Sequence, residues 1–321
     1  ATGGATICVG GTATLTTTGC VGSGLALKWY KTADNALVSM PVSPTVTTQY
    51  YAKCEQTLNN VTCVSAASGN VSVTVNPLPT ASISGTIAVC QNAPFPTVTF
   101  TGSNGTAPYT FTYKINGGAN LTVTTTSGNS VTVTQTTAAA GVFNYSLVSV
   151  KDANGCEQLQ NGAVVITVHA PPVVSVAQSS LCTGLTMTLS PTSGGTWQSS
   201  NPMIATVNNA GVVTALTAGS VNFTFTQTST GCSSTTSNVT IKPTPSSNLT
   251  ASKVDVCANT EVTLNPNCSI PTSTVNWNPG GPTVTPAAAT LPYVYRARCE
   301  ADGCVGNETS VEVRTHRILV D

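Results

Sequence analysis

The stretch YTFTYKI, residues 109–115, decides the fold class. Successive side chains of a β-strand point to opposite faces, so strict alternation of apolar and polar residues predicts a strand with one buried face. The segment VNFTFTQ, residues 221–227, repeats this alternation, and no amphipathic helical pattern of ten or more residues occurs in the chain. The sequence therefore predicts an all-β fold.

Four similar units follow one another along the 321-residue chain. Each unit opens with a cysteine, a short polar turn and an alternating strand, and it carries a late cysteine after a second polar turn. Pro-containing junctions follow the first three units, which predicts short and stiff spacers. The opening cysteines are Cys8, Cys90, Cys182 and Cys257, and the late cysteines are Cys63, Cys156, Cys232 and Cys304.

The opening cysteines lie 82, 92 and 75 residues apart. Units of this size, with turn residues between strands about every 8–12 residues, are typical of immunoglobulin-like β-sandwiches. The sequence thus predicts a tandem array of four such modules in an extended rod. Modules 1 to 4 are expected to span residues 1–76, 77–169, 170–243 and 244–315, and residues 316–321 form a tail.

Charged side chains are scarce, at 7% of residues against roughly 25% in ordinary soluble domains. The 11 basic and 11 acidic residues give no field that would hold nucleic acid or an anionic membrane, and no apolar run is long enough to span a bilayer. With 57 Thr and 31 Ser, the strand surfaces are hydroxylated instead. We expect no nucleic-acid partner and no direct membrane insertion.

Twelve cysteines in a chain of this kind indicate an oxidising compartment and structural disulfides. Because no signal peptide opens the sequence, we expect a mature or internal piece of a larger extracellular or cell-surface protein. Modules 2 and 3 hold two cysteines each, which predicts the pairs Cys90–Cys156 and Cys182–Cys232.

Modules 1 and 4 hold four cysteines each, and four cysteines allow three connectivities. The choice among them rests on analogy with modules 2 and 3, so that the opening and late cysteines pair. The inner pairs then fall where the bond between the sheets of an immunoglobulin sandwich runs. The predicted pairs are Cys8–Cys63 and Cys20–Cys54 in module 1, and Cys257–Cys304 and Cys268–Cys299 in module 4.

Aromatic residues recur at fixed offsets from the cysteines. Trp29 and Trp277 each lie nine residues after Cys20 and Cys268, where a strand should cross the core. A platform of tryptophans that stacks on sugars is the alternative, but the matched offsets favour core packing. The predicted core aromatics of modules 1 to 4 are Trp29, Phe111, Trp197 and Trp277.

No motif for catalysis, a cofactor or a metal is present. Glu300 and Asp302 lie between Cys299 and Cys304, but this spacing does not match a zinc knuckle, and Asp-Gly at 302–303 is typical of a turn. The two histidines lie in a junction and in the tail. We therefore expect a non-enzymatic protein without cofactor or bound metal.

The segments ICVGGTATLT and TTQYYAKC of module 1, with VCANTEVTLN and YVYRARCEADGC of module 4, resemble the immunoglobulin-like repeats of very large Bacteroidota surface proteins. These are adhesin-like chains exported by the type IX secretion system. Module 2, with CQNAPFPTVTFTGSNGTAPYTFTYKINGG, looks like a companion repeat of the same proteins. Module 3, with WQSSNPMIATVNNAGVVTALTAGSVNFTFT, is similar to bacterial immunoglobulin-like group 2 domains. The resemblance covers nearly the whole chain and implies a β-sandwich fold and a secreted, surface-exposed setting.

The leading hypothesis is a non-enzymatic stalk or fibre segment of a secreted bacterial cell-surface adhesin-like protein. Its partners would be neighbouring modules of a longer chain or like subunits. One alternative is a homopolymeric extracellular filament assembled by strand addition, in which the tail or an exposed edge strand docks on a neighbouring subunit. Another is a carbohydrate-binding region of a secreted polysaccharide-degrading enzyme, with surface glycans as ligand. The start of a next domain is the favoured interpretation of the tail, ahead of strand donation and of a frayed end. The candidate donor residues are Arg317, Ile318, Leu319 and Val320.

Overall fold

A computed structural model describes residues 3–316 of the chain. This part contains 32 β-strands and no helix, so the predicted all-β fold of tandem immunoglobulin-like domains is confirmed. None of its elements is a helix of the length and apolarity needed to cross a bilayer. The chain divides into two compact units at the junction of Ala170 and Pro171, and each unit contains two hydrophobic cores. We keep the name module for the four predicted ranges, whose bounds stay a prediction.

Module 1 has one main sheet in the order β1-β6-β4-β2-β3, with β5 paired to β4. A bridge between Ala13 and Val42 lies outside this sheet, and both residues are buried in the same core as Trp29. The strands are β1 (Ala5–Cys8), β2 (Leu25–Lys31), β3 (Leu37–Val38), β4 (Thr48–Leu58), β5 (Val61–Val64) and β6 (Val71–Asn76).

Module 2 is a sandwich of two sheets, β11-β10-β13-β15-β8 with β14 on β13, and β12-β9-β7. Tyr109, Phe111 and Tyr113 are all buried in its core, as the alternation in YTFTYKI predicts. The strands are β7 (Thr80–Ser84), β8 (Ile87–Cys90), β9 (Thr97–Ser103), β10 (Thr110–Ile115), β11 (Leu121–Thr124), β12 (Ser130–Thr134), β13 (Gly141–Lys151), β14 (Glu157–Leu159) and β15 (Ala163–His169).

Module 3 has three short sheets, β16-β24-β21, β17-β20-β19 and β18-β22-β23, around one core. Trp197 and Phe225 pack against each other in that core, with ring centroids 5.1 Å apart. The strands are β16 (Ser180–Cys182), β17 (Thr186–Thr188), β18 (Gly195–Ser199), β19 (Ala205–Val207), β20 (Val212–Ala215), β21 (Gly219–Val221), β22 (Phe223–Gln227), β23 (Ser233–Thr235) and β24 (Val239–Lys242).

Module 4 is built from the sheets β25-β27-β29 and β26-β32-β30-β28, with β31 on β30. Its last strand reaches His316, beyond the predicted end, because the chain there pairs with Cys257 on the neighbouring strand. The strands are β25 (Thr250–Ala251), β26 (Asp255–Cys257), β27 (Val262–Asn265), β28 (Thr274–Asn278), β29 (Thr283–Val284), β30 (Tyr293–Ala301), β31 (Cys304–Val305) and β32 (Thr309–His316).

All four modules share one topological feature. The strand that carries the opening cysteine lies parallel to the closing strand of its own module, and the cysteine is the last residue of that pairing. Parallel strands require a long connection, which here is the rest of the module. The four pairings are β1 with β6, β8 with β15, β16 with β24 and β26 with β32.

Candidate functional site: cysteines that join successive modules

The opening cysteines, which we call the turn cysteines, have the same backbone environment in every module. Each lies opposite the final paired residue of the closing strand, and the amide of the next residue donates a hydrogen bond to that residue's carbonyl. The opposed pairs are Cys8 and Asn76, Cys90 and His169, Cys182 and Lys242, and Cys257 and His316.

A tight turn follows each turn cysteine. The cysteine carbonyl accepts a hydrogen bond from the amide three residues later, at 2.8 Å in module 1 and 3.1 Å in the other three. The residue two after the cysteine has a positive φ, which only Gly and, to a lesser degree, Asn adopt readily. These residues are Gly10 (φ 84°), Asn92 (φ 64°), Gly184 (φ 86°) and Asn259 (φ 59°).

The late cysteines, which we call the hairpin cysteines, lie in or directly before the second strand of a hairpin. These hairpins join β4 to β5, β13 to β14, β22 to β23 and β30 to β31. In module 2 the buried Asp152 fixes the hairpin, because its carboxylate accepts hydrogen bonds from the amides of Cys156 at 2.9 Å and Thr106 at 3.1 Å.

Two disulfides join a turn cysteine of one module to the hairpin cysteine of the next. Cys8 of module 1 bonds Cys156 of module 2, with the Cα atoms 5.6 Å apart. Cys182 of module 3 bonds Cys304 of module 4, with the Cα atoms 5.7 Å apart. Both distances lie in the usual range for disulfides. Cys90 and Cys232 are disulfide-bonded as well.

The four predicted pairs between opening and late cysteines of one module are therefore wrong. The pairs of modules 2 and 3 were expected because each of these modules holds only two cysteines, and the pairs of modules 1 and 4 followed by analogy. The opening and late cysteines of a module, however, lie at its opposite ends. In module 2, Cys90 lies opposite His169, and the strand runs six residues from there to Ala163. Ala163 pairs with Ser146, and that strand continues six residues further in the same direction to Asp152, which is hydrogen-bonded to Cys156. About 40 Å of strand therefore separates Cys90 from Cys156. The predicted pairs that the structure replaces are Cys8–Cys63, Cys90–Cys156, Cys182–Cys232 and Cys257–Cys304.

The two disulfides within modules are the ones that the sequence analysis predicts. Cys20 bonds Cys54, and Cys268 bonds Cys299. In each case the strand cysteine lies two residues beyond the partner of the core tryptophan, since Trp29 pairs with Ala52 and Trp277 with Ala297. Trp29, Phe111 and Trp197 are buried, whereas Trp277 is only partly buried against the core of module 4.

Two cysteines in the described part of the chain carry free thiols, and both are exposed. Cys63 is a hairpin cysteine of module 1, and Cys257 is the turn cysteine of module 4.

The sequence signal that could have predicted the bonds between modules is the Gly or Asn two residues after each opening cysteine. It marks all four turns as equivalent, and equivalent turns predict equivalent partners.

One polar cluster lies on the outer face of module 1. Lys28 contacts Glu55 with a 2.6 Å separation, and the Tyr30 hydroxyl donates to the same carboxylate at 3.0 Å. The hydrogen bond from Lys28 lowers the pKa of Glu55, and the same bond raises the pKa of Lys28. The ring of Tyr30 stacks on Tyr51 and Lys53 lies over both, so their faces are covered by side chains of this chain.

The other candidate residues do not form a chemical site. Glu300 pairs with Arg298 at 3.0 Å, and Asp302 lies in the hairpin turn with a φ of 51°. Within residues 3–316, no three His, Cys, Asp or Glu side chains are grouped to hold a metal ion. The tail residues Arg317, Ile318, Leu319 and Val320 lie outside the described residues.

A model of the bacterial Ig-like domain (group 2) family matches residues 163–239. This range contains most of module 3, so the resemblance predicted for that module is confirmed. No curated protein matches the chain.

The chain is similar to several solved structures. The C-terminal 282-residue fragment of intimin, in complex with the translocated intimin receptor, is 14% identical over 56% of this chain and 68% of that one, with a TM-score of 0.37. Invasin, a bacterial integrin-binding protein, is 10% identical over 91% and 72%, with a TM-score of 0.34. The ectodomain of mouse nectin-like molecule 4 is 12% identical over 74% and 100%, with a TM-score of 0.29. At these values the likenesses give no information on ligand or partner.

Proposed function

We propose that the chain is a non-enzymatic stalk segment of a secreted bacterial cell-surface adhesin-like protein, and that it transmits tension. Its modules hold a binding element away from the cell while they resist unfolding under load. The observation that carries this proposal is the pair of disulfides between successive modules, Cys8–Cys156 and Cys182–Cys304.

A disulfide between modules changes the route that tension takes along the chain. In the first unit, force that enters before Cys8 crosses the bond directly to Cys156, so the residues between them carry none of it. The sequence separation of this bond is 148, and that of the bond in the second unit is 122. Most of each unit is therefore held inside a covalent loop, outside the loaded path.

The strand pairings support the same role when the bonds are reduced. The first and last strands of a module are parallel, so pulling the two ends of the module apart shears their hydrogen bonds together instead of opening them one by one. Module 1 has four such register pairs, from Ala5 with Val73 to Cys8 with Asn76. Module 4 has three, and the last is Cys257 with His316.

Single-molecule force spectroscopy on the whole chain tests the proposal. Reduction opens all of the described disulfides together, so a single bond is tested in variants that are stretched without reductant. The variant C8S/C156S should extend further than the oxidised wild-type chain by up to about 390 Å at about 3.4 Å per residue, because the loop of separation 148 opens while Cys20–Cys54 keeps a loop of separation 34 closed within it. The control C20S/C54S opens only a loop that lies inside the Cys8–Cys156 loop and carries no tension, so its extension should equal that of the oxidised wild-type chain. An oxidised wild-type chain that extends as far as the reduced chain would contradict the proposal.

A further inference from the structure

We propose that Cys63 and Cys257 are the two halves of one more intermodular disulfide, formed between Cys257 of one copy of the chain and Cys63 of a second copy. The bond would be of the same kind as Cys8–Cys156 and Cys182–Cys304, but between molecules. This inference concerns assembly and holds whether or not the chain bears tension.

Cys257 has the geometry of a bonded turn cysteine. It lies opposite His316, and the amide of Ala258 donates to the His316 carbonyl at 3.2 Å. The Cys257 carbonyl accepts a hydrogen bond from the amide of Thr260 at 3.1 Å, and Asn259 between them has a φ of 59°. The same contacts surround Cys8 and Cys182, both of which are bonded to a following module.

Cys63 has the geometry of a bonded hairpin cysteine. It lies opposite Gln56, two residues after the strand cysteine Cys54. Cys304 likewise lies opposite Ala301, two residues after Cys299. The hairpin of module 1 differs only in length, since it has two more register pairs before its turn.

The free hairpin cysteine Cys63 is more exposed than the hairpin cysteines of the finished joints. The bonded hairpin cysteines Cys156 and Cys304 are both 0% exposed. Cys63 is exposed, and three large aliphatic side chains of the same hairpin are exposed with it. Val254, three residues before Cys257, is also half exposed. The exposed side chains beside Cys63 are Leu58, Val61 and Val64.

The two classes of cysteine determine which partner fits. Each of the two described intermodular bonds joins a turn cysteine to a hairpin cysteine, and neither joins two of one class. The two free thiols are one of each class, so they complement one another. Any module that offers the opposite class has the required chemistry, and a second copy of this chain offers both.

A polar contact in the joint between modules 3 and 4 supports this docking. Lys242 lies opposite the turn cysteine Cys182, and its ammonium donates to the carbonyl of Asp302 in the hairpin at 3.0 Å. His316 holds the same position opposite Cys257. The Nε2 atom of His316 lies 3.3 Å from Oδ1 of Asp255, so the ring would exchange this contact for one with a carbonyl in the hairpin turn of a docked module, at Asn59 or Asn60.

The bond forms by oxidation of two thiols, and a small-molecule disulfide accepts the electrons. The thiolate of one cysteine attacks the oxidant, which releases one thiol and leaves a mixed disulfide. The thiolate of the second cysteine attacks that mixed disulfide, which forms the protein disulfide and releases the second thiol. In total, two protein thiols and one oxidant disulfide give one protein disulfide and two small thiols.

The test uses two single variants of the whole chain in a glutathione redox buffer. Of the two free cysteines, C63S retains Cys257 and C257S retains Cys63. Two copies of the same variant therefore cannot form the proposed bond. We expect each variant alone to stay monomeric on a non-reducing gel and their equimolar mixture to give a dimer. The wild-type chain should give a ladder of oligomers that reductant dissolves. Peptide mapping should find Cys63 linked to Cys257, with Cys8–Cys156 and Cys182–Cys304 unchanged.

Three results would overturn the inference. One is dimer formation by either single variant alone to the extent seen in the mixture, which would indicate random thiol oxidation. A second is a mixture and a wild-type chain that remain monomeric as glutathione adducts, although mapping shows the bonds within each chain intact. The third is a dimer in which mapping finds Cys63 linked to Cys63 or Cys257 linked to Cys257.

Discussion

At the scale of single residues, the same backbone conformation recurs two residues after each turn cysteine. The residue two after each turn cysteine needs a positive φ, and the chain places Gly or Asn there in all four modules. A side chain with a Cβ in this conformation costs about 1–2 kcal/mol, and Asn is the residue other than Gly that tolerates it best. In modules 1 and 3 the cysteine before this turn is bonded to the next module.

The variant G184A should loosen this turn in module 3. A Cβ added at Gly184 meets no atom within 4 Å, so the cost comes from the backbone conformation alone. We expect the amide of Leu185, which donates to the Cys182 carbonyl, to exchange with solvent at least fivefold faster, a factor that corresponds to about 1 kcal/mol. G184N should stay close to wild type, and equal exchange rates in the two variants would refute the argument.

A second prediction at this scale concerns the pKa of Glu55. The hydrogen bond from Lys28 holds it below the usual 4.5, so the carboxylate stabilises the folded state above about pH 4.5. That contribution is lost as the pH falls through the lower folded pKa. In K28M, a carboxyl ¹³C titration should show the Glu55 midpoint move up toward 4.5. The control K31M removes a lysine of the same strand that pairs with Asp34, and the Glu55 midpoint should not move.

At the scale of elements, the alternation of side chains was enough to predict the strands. YTFTYKI in module 2 and VNFTFTQ in module 3 lie as the pattern predicts, because burial of one face is a local property of the sequence. The pairing of opening and late cysteines was not predictable by analogy, because it depends on register between strands far apart in the chain. The first strand is parallel to the last, which places Cys90 at the far end of its sheet from Cys156.

Hydroxyl side chains form hydrogen-bonded pairs between neighbouring strands of these sheets. Thr110 and Thr124 are hydrogen-bonded at 3.0 Å, Thr224 and Thr235 at 2.9 Å, and Thr226 and Ser233 at 2.8 Å. Each such pair contributes roughly 0.2–1 kcal/mol and involves no net charge, so salt does not screen it.

We therefore expect the thermal midpoint of the chain to change by less than about 2 °C between low salt and about 1 M sodium chloride, where exposed ion pairs are screened. Scanning calorimetry at the two salt concentrations measures this. The variant T224K/T235E, which replaces one hydroxyl pair by an ion pair, is the control, and its midpoint should fall with salt. A wild-type midpoint that falls by more than that of the control would contradict the role given to the hydroxyl pairs.

At the scale of the whole molecule, the two kinds of disulfide have different effects on the modules. Cys268–Cys299 closes a loop of separation 31 inside module 4, whereas Cys182–Cys304 closes one of 122 that contains parts of modules 3 and 4. When module 3 unfolds, the second bond still anchors its opening strand to module 4. Each module thereby restricts the unfolded chain of its neighbour.

The last prediction follows from this coupling. C182A/C304A should destabilise both modules of the second unit, by about 5 kcal/mol in total for a loop of 122 residues. C268A/C299A, the matched control, should destabilise module 4 alone, by about 4 kcal/mol for a loop of 31. Hydrogen exchange on the whole chain separates the two cases, with Ile241 reporting on module 3 and Val313 on module 4, since both are buried strand residues. Unchanged exchange at Ile241 in C182A/C304A would show that the modules unfold independently and that the intermodular bond does not couple them.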